Sequence, residues 1–299
     1  MQKYLKYLIS IFIFISFIIA QVNEGMAEFN IGNHNGLQLT LFDVEKKLVE
    51  DEWKLYTKSF GKIDKKKGEY ISKGISLDGL SNPVDWYMKL DKKKKNILLQ
   101  LCVISNEEFL SSSNQNDNYR IIENHLEYFI FVIEKAKVNE QFETEKKTLA
   151  KLQKELKKLE DNYNSSINSI EKYTKKIANA EKDNKSNLKK QTKTKDAISA
   201  QGLVVEEIIS NPSTSTSDGE VSPEYEEANK KLLKLQKNLE KLVDDYSDNL
   251  KSINKSSKKI EKAKKDNRSN IKNQKKTKDK ISDQGQTVEQ LRKQLGTMK

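Results

Sequence analysis

The chain has 299 residues, 33% of them charged and only 35% hydrophobic, and Lys plus Arg exceed Asp plus Glu by 11. That composition excludes one large apolar-cored globule, and a single cysteine excludes an intramolecular disulfide framework. The charge is unevenly placed: residues 1–140 are neutral and residues 141–299 carry the whole excess, so two dissimilar parts are expected.

The first stretch, MQKYLKYLISIFIFISFIIAQ, has basic residues at Lys3 and Lys6, an apolar run from Leu8 to Ile19, and the small Ala20. The run falls short of the ~20 residues a spanning helix needs, so residues 1–20 read as a secretory signal peptide, with an uncleaved anchor as the alternative. No later run approaches spanning length, because YFIFVI is followed at once by Glu134, Lys135 and Lys137. The expectation is an exported chain, periplasmic or extracellular, with no transmembrane segment after cleavage. Residues 21–35 read as an N-terminal extension.

Residues 36–140 switch between periods of two and of 3.6, the pattern of a small α+β head domain. GLQLTLF alternates as a strand. A helix follows, with Asp43 as its cap and Val44, Leu48, Leu55 and Tyr56 on its apolar face. Segments around GKIDKK, GEYISKGI, VDWYMKLD and NILLQLCVI are rich in β-branched and aromatic residues and are separated by turn chemistry, which predicts an antiparallel meander. A second helix brings Ile121, Ile122, Leu126, Phe129 and Ile133 over the sheet. Trp53 and Trp86 are candidates for the core, Cys102 for a buried small hydrophobe, and Lys92 to Lys95 for a solvated hairpin loop.

From Leu149 the apolar residues fall on a heptad, and from Leu232 the same heptad is written again 83 residues later. Aligning 151–209 with 234–292 gives 33 identities in 59 positions, an internal duplication. Each copy predicts a helix of ~60 residues, ~90 Å at 1.5 Å per residue. The leading half of each seam is leucine-rich. The trailing half is polar, with Asn184, Asn187, Gln191, Thr194 and Gln201 in the first copy and Asn267, Asn270, Gln274, Thr277 and Gln284 in the second. Polar seam residues cost stability and serve to fix register. These ten are the candidate site residues.

Residues 141–210 therefore read as coiled-coil helix 1, 211–222 as a linker of Pro, Ser, Thr and Gly, and 223–299 as coiled-coil helix 2, capped by Ser222 with Pro223 at its first position. Two pairings are open. A parallel dimer would match polar halves with each other, whereas an antiparallel hairpin about the linker would set each polar half against the other helix's leucines. The short linker favours the hairpin through its high effective concentration. The expected fold class is α+β: a small antiparallel-sheet head with two helices, then a long, internally duplicated two-helix coiled-coil hairpin.

Catalytic chemistry finds little support. His34 and His125 have no ligand-like spacing to Cys or to each other, so neither a metal site nor a cofactor is expected. GISLDGLS has the glycines of a phosphate loop but Leu80 where the lysine must stand. An enzyme sited around Glu69, Asp85 or His125 in the head is the remaining catalytic reading.

EDEWKLYTKSFGK, GEYISKGISLDGLSNPVDWYMKL and FLSSSNQNDNYRIIENHLEYF, followed by lysine-rich helices, resemble a group of exported Bacteroidota proteins of uncharacterised function. The resemblance implies a bacterial envelope location and supplies no catalytic residues. The expected function is a non-enzymatic cell-envelope interaction protein, a docking head on a coiled-coil stalk with a protein partner or self-association through the coil. The alternative is a basic coil attracted to anionic envelope polymers, lipids or other polyanions, without specific nucleic-acid readout.

Overall fold

The computed structural model describes residues 22–210 and 222–298. The signal peptide expected over 1–20 lies outside the described residues, as does all but the last residue of the expected linker. The chain divides into two compact units: residues up to 148 together with those from 284 onward, and residues 149–283.

The first unit holds an antiparallel sheet of seven strands: β1 (Val22–Phe29), β2 (Gly32–Leu41), β3 (Ile63–Lys66), β4 (Glu69–Ile75), β5 (Val84–Lys93), β6 (Asn96–Ser105) and β7 (Glu108–Phe109). The order is β1-β2-β6-β5-β4-β3, with β7 also on β6. Two-residue turns join β3 to β4, β5 to β6 and β6 to β7. Lys67-Gly68 and Asn106-Glu107 adopt positive φ at both central positions, as hairpin turns matched to strand twist require.

One face of the sheet packs against helix α1 (Lys46–Lys58) and the start of helix α2 (Asn116–Ser210). The core gathers Leu37, Leu39 and Leu41 of β2, Trp86 and Met88 of β5, Leu99 and Leu101 of β6, Trp53 of α1, and Ile122, Leu126, Phe129 and Ile133 of α2. Trp53 stands edge-on to Phe129 at 5.1 Å and lies 5.6 Å from Trp86. Burying aromatic surface of this kind contributes about 3–5 kcal/mol per side chain against truncation.

Two details of α1 correct the sequence reading. Asp43 is not its cap: it sits at φ +45°, a conformation short polar residues tolerate, while Glu45 occupies the N-cap without a side-chain bond. The buried stripe is Val49, Trp53 and Thr57, Leu55 is exposed, and the helix begins at Lys46, two residues later than expected.

Residues 22–35, expected as an extension, form a hairpin arm. β2 pairs with β6 only from Leu37 to Leu41, and at Gly36 it passes so close to β6 that a Cβ there would lie 2.6 Å from the Leu101 carbonyl oxygen. Beyond Gly36 the arm covers the second face of the sheet, where Ala27 and Phe29 bury Tyr87 and Cys102. Its tip reaches β4 and β3: the Asn30 amide donates to Glu69 Oε1 at 2.6 Å and the Asn30 side chain to the Lys66 carbonyl at 3.4 Å. β7 pairs with β6 at Ile104 and Ser105, beyond the stretch that β2 covers, and His34 of the arm stacks on its Phe109 at 3.6 Å.

α2 runs without a break through residue 140, where a domain boundary was expected. Helix α3 (Pro223–Thr297) starts as its sequence predicts: Ser222 Oγ accepts from the Tyr225 amide at 3.2 Å, and Glu224 and Glu226 lie in the positive first turn. The fold is thus α+β, an antiparallel-sheet unit with helices followed by a long two-helix hairpin.

Candidate functional site in the helical hairpin

Within residues 149–283, α2 and α3 run antiparallel, so the polar half of each seam faces the leucine half of the other. Gln191 Nε2 donates to the Leu242 main-chain carbonyl at 3.1 Å and to Asn187 Oδ1 at 2.8 Å. In the second copy Gln274 Nε2 donates to Asn270 Oδ1 at 2.8 Å and reaches the Leu159 carbonyl at 3.5 Å, while Asn270 Nδ2 donates to that same carbonyl at 3.0 Å. Gln191 corresponds to Gln274 and Leu159 to Leu242 in the duplication, so these bonds are one arrangement seen twice about a pseudo-twofold axis.

The same pattern recurs about three helical turns further on, at Gln201 and Gln284. Gln201 Nε2 donates to the Ala228 carbonyl at 3.2 Å. Its counterpart Gln284, in the first unit, donates to the Glu145 carbonyl at 3.1 Å and also to the Glu145 carboxylate. Each helix carbonyl has a second lone pair free after its own i+4 bond, which is why an amide from the facing helix can be accepted without breaking either helix. These bonds satisfy the amides of each polar half against the main chain of the facing helix in the observed pairing.

The remaining seam residues are arranged less evenly. Asn184, Asn187, Asn267 and Thr277 are buried, and Thr194 is half-buried. The Asn184 Oδ1 has no hydrogen-bond partner among the described residues. At the pseudo-twofold centre the copies diverge, Tyr173 standing where the second copy has Ser256. Lys259 Nζ donates to Tyr173 Oη at 3.1 Å and lies 4.9 Å from its ring centroid, holding the phenol below its usual pKa. Beside them is an open groove of about 330 Å³ lined by Ser166, Ser169, Lys259 and Asp266. It brings together no acid and base at a shared reacting position.

In the first unit Glu69, Asp85 and His125 do not converge. Glu69 receives the Asn30 amide of the arm, and Asp85 Oδ1 accepts from the Gly74 amide at 2.9 Å, holding the bulge of β4. His125 belongs to the aromatic core: its Nδ1 is hydrogen-bonded to Tyr56 Oη at 2.6 Å, and its ring lies edge-on to Phe60 at 5.5 Å. Burial lowers the His125 pKa and raises that of Tyr56. Burial likewise pushes the Cys102 thiol up to about 12, which leaves it an inert core residue. Among the described residues no group of three His, Cys, Asp or Glu side chains is placed to hold a metal, and no helix is long and apolar enough to cross a membrane.

Residues 120–266 match the family model of CENP-Q, described as a CENPA-CAD centromere complex subunit. The matched segment is just short of half the chain, and its described residues are helical except for the cap Ser222. No curated protein matches the chain.

This likeness overturns the expectation of an exported cell-envelope protein. A centromere subunit model points to a chromosomal setting and away from a periplasmic or extracellular one, and the secreted, signal-peptide and envelope-polyanion readings fall with it. They rested on one apolar run preceded by two lysines, on the resemblance to exported proteins and on diffuse positive charge, none of which specifies a compartment by itself. The coiled-coil reading agrees with the match.

Proposed function

We propose that the chain is a structural subunit of a chromosomal multiprotein assembly, in which the antiparallel hairpin engages the other subunits. The observation that carries this reading is the match of 120–266 to the CENP-Q model, over the same helices that the seam amides tie in one register. A long helix pair held in register presents side chains at fixed intervals of ~10.5 Å per heptad, the property that a scaffold for other helical proteins needs. The sheet unit is a second surface on the same chain, stabilised by its own core. No catalytic step is assigned to the chain.

The test is to tag the chain at its own locus, image it, and map its partners by cross-linking mass spectrometry. Chromosome-associated foci and a reproducible partner set with cross-links on lysines of 120–266 are expected. An exported or surface pool, or cross-links confined to the sheet unit, would overturn the proposal.

A further inference from the structure

Away from the linker end, where Leu203, Val204, Ile209 and Leu233 are exposed, the hairpin has one apolar flank outside its seam. With Leu149 and Leu232 each at heptad position a, the exposed apolar residues of that middle stretch, Leu188, Val243, Leu250 and Ile271, fall on position e, and each is between 47% and 52% exposed. Ile167, half-buried, joins them there. In an antiparallel pair the e positions of both helices line the same flank, and the register set by the seam amides puts Leu188 across from Val243, Leu250 from Glu181, Ile167 from Lys264 and Ile271 from Glu160. The g positions on the opposite flank are polar: Ser169, Lys176 and Asp183 on α2, Ser252, Lys259 and Asp266 on α3.

The apolar flank has a symmetry of its own. Its central layer pairs the small residues Thr174 and Ser257. One heptad to either side lie Ile167 and Leu250, and two heptads to either side lie Ile271 and the Leu188–Val243 pair. These are the positions exchanged by the pseudo-twofold axis of the duplication. The flank is therefore self-complementary, and a second hairpin turned end for end meets it layer by layer. In that orientation α2 lies on α2 and α3 on α3, and the layer of Leu250 and Glu181 is completed by Ile167 and Lys264 of the other copy, with Leu250 diagonal to Ile167 and the Glu181 carboxylate diagonal to the Lys264 ammonium. In the opposite orientation each charged layer meets its own like charge.

The size of the face suits such a pairing. The five layers span ~42 Å, and two helices side by side are ~18 Å across, giving roughly 750 Å² per copy, near the ~800 Å² per partner of a standard specific interface. We propose that two copies of this chain pair through the e flank as antiparallel hairpins, forming a four-helix bundle centred on Thr174 and Ser257. The inference goes beyond the assembly role above and does not depend on the family likeness.

The experiment is sedimentation equilibrium and light scattering of the full chain. A mass of two 34.5 kDa chains is expected at micromolar concentration. Leu250→Lys, placed against Lys264 of the other copy, should weaken the dimer at least tenfold while leaving helix content unchanged, because the position is exposed in the hairpin. Lys264→Glu should also weaken it, and adding Glu181→Lys should restore it. A monomeric wild type, whose flank would then belong to a different partner, overturns the proposal. So does a dimer indifferent to these substitutions, or one that Lys264→Glu weakens and Glu181→Lys does not rescue.

Discussion

The side-chain amide of Gln191 on α2 is bonded to the main chain of α3 at Leu242, 3.1 Å from its carbonyl oxygen. The leucine arrays supply most of the apolar burial, and the amide bonds satisfy the polar groups that share the seam with them. A main-chain carbonyl recurs at every residue, so register rests on which polar layers meet which leucine layers, a choice that buried polar seam residues restrict.

Replacing Gln191 and Gln274 together by Leu should therefore raise stability and lower order. Burying two further aliphatic side chains is expected to add about 1–3 kcal/mol to unfolding. Spin labels at the exposed positions 193 and 241 would report the register: one narrow distance distribution in the wild type, and a broadened or shifted one in the double variant. An unchanged narrow distribution would show that the leucines alone fix the pairing.

The His125 pKa is lowered, mainly by burial and against a smaller opposing effect of Asp78. The folded state accordingly resists protonation more than the unfolded state does. Its stabilising contribution is complete above the ordinary value near 6.5 and is lost as pH falls from there towards the depressed folded value. Urea unfolding followed by tryptophan fluorescence should show a lower midpoint at pH 5.5 than at pH 7.5. His125→Gln, which keeps an acceptor for Tyr56, should flatten that difference, and an equal slope in the variant would place the titration elsewhere.

The duplication made the hairpin legible, because two copies of one heptad with a Pro- and Ser-rich break between them leave few other folds open. The meander from β3 to β6 was legible for a similar reason: alternation and turn residues agreed. β1 was not, since VNEGMAEF carries two glutamates and a glycine and becomes a strand only by pairing with β2 in an arm whose close approach depends on Gly36. β7, two residues long, is defined by its neighbour alone. The seam residues were found by period, but their acceptors were not, because main-chain carbonyls leave no mark in a sequence. The compartment was misread from a single N-terminal run.

Gly36 and Gly202 should respond oppositely to the same change. At Gly36 an added methyl meets the Leu101 carbonyl oxygen at 2.6 Å and the Leu101 carbonyl carbon at 3.2 Å, both backbone atoms of a central strand. Gly36→Ala is expected to cost about 1–3 kcal/mol and to loosen the arm, read as faster amide exchange at Asn30. Gly202 lies inside α2 with nothing near its added Cβ, so Gly202→Ala should gain about 0.5–1 kcal/mol from backbone entropy. A neutral Gly36→Ala would mean that the arm can lift from the sheet.

Asn184 and Asn267 occupy the same position in the two copies, yet only Asn184 carries a buried oxygen without a partner among the described residues. Leaving such a group unpaired and shut off from water, as the Asn184 oxygen is, costs about 1–3 kcal/mol, a cost that removing the amide relieves. Asn184→Leu should therefore stabilise the chain by about 1 kcal/mol more than Asn267→Leu, although the local sequences are nearly identical. Thermal unfolding of the two single variants and the double variant measures the difference directly. Equal effects would mean that both asparagines are equally satisfied in solution and that the divergence at Tyr173 and Ser256 does not reach them.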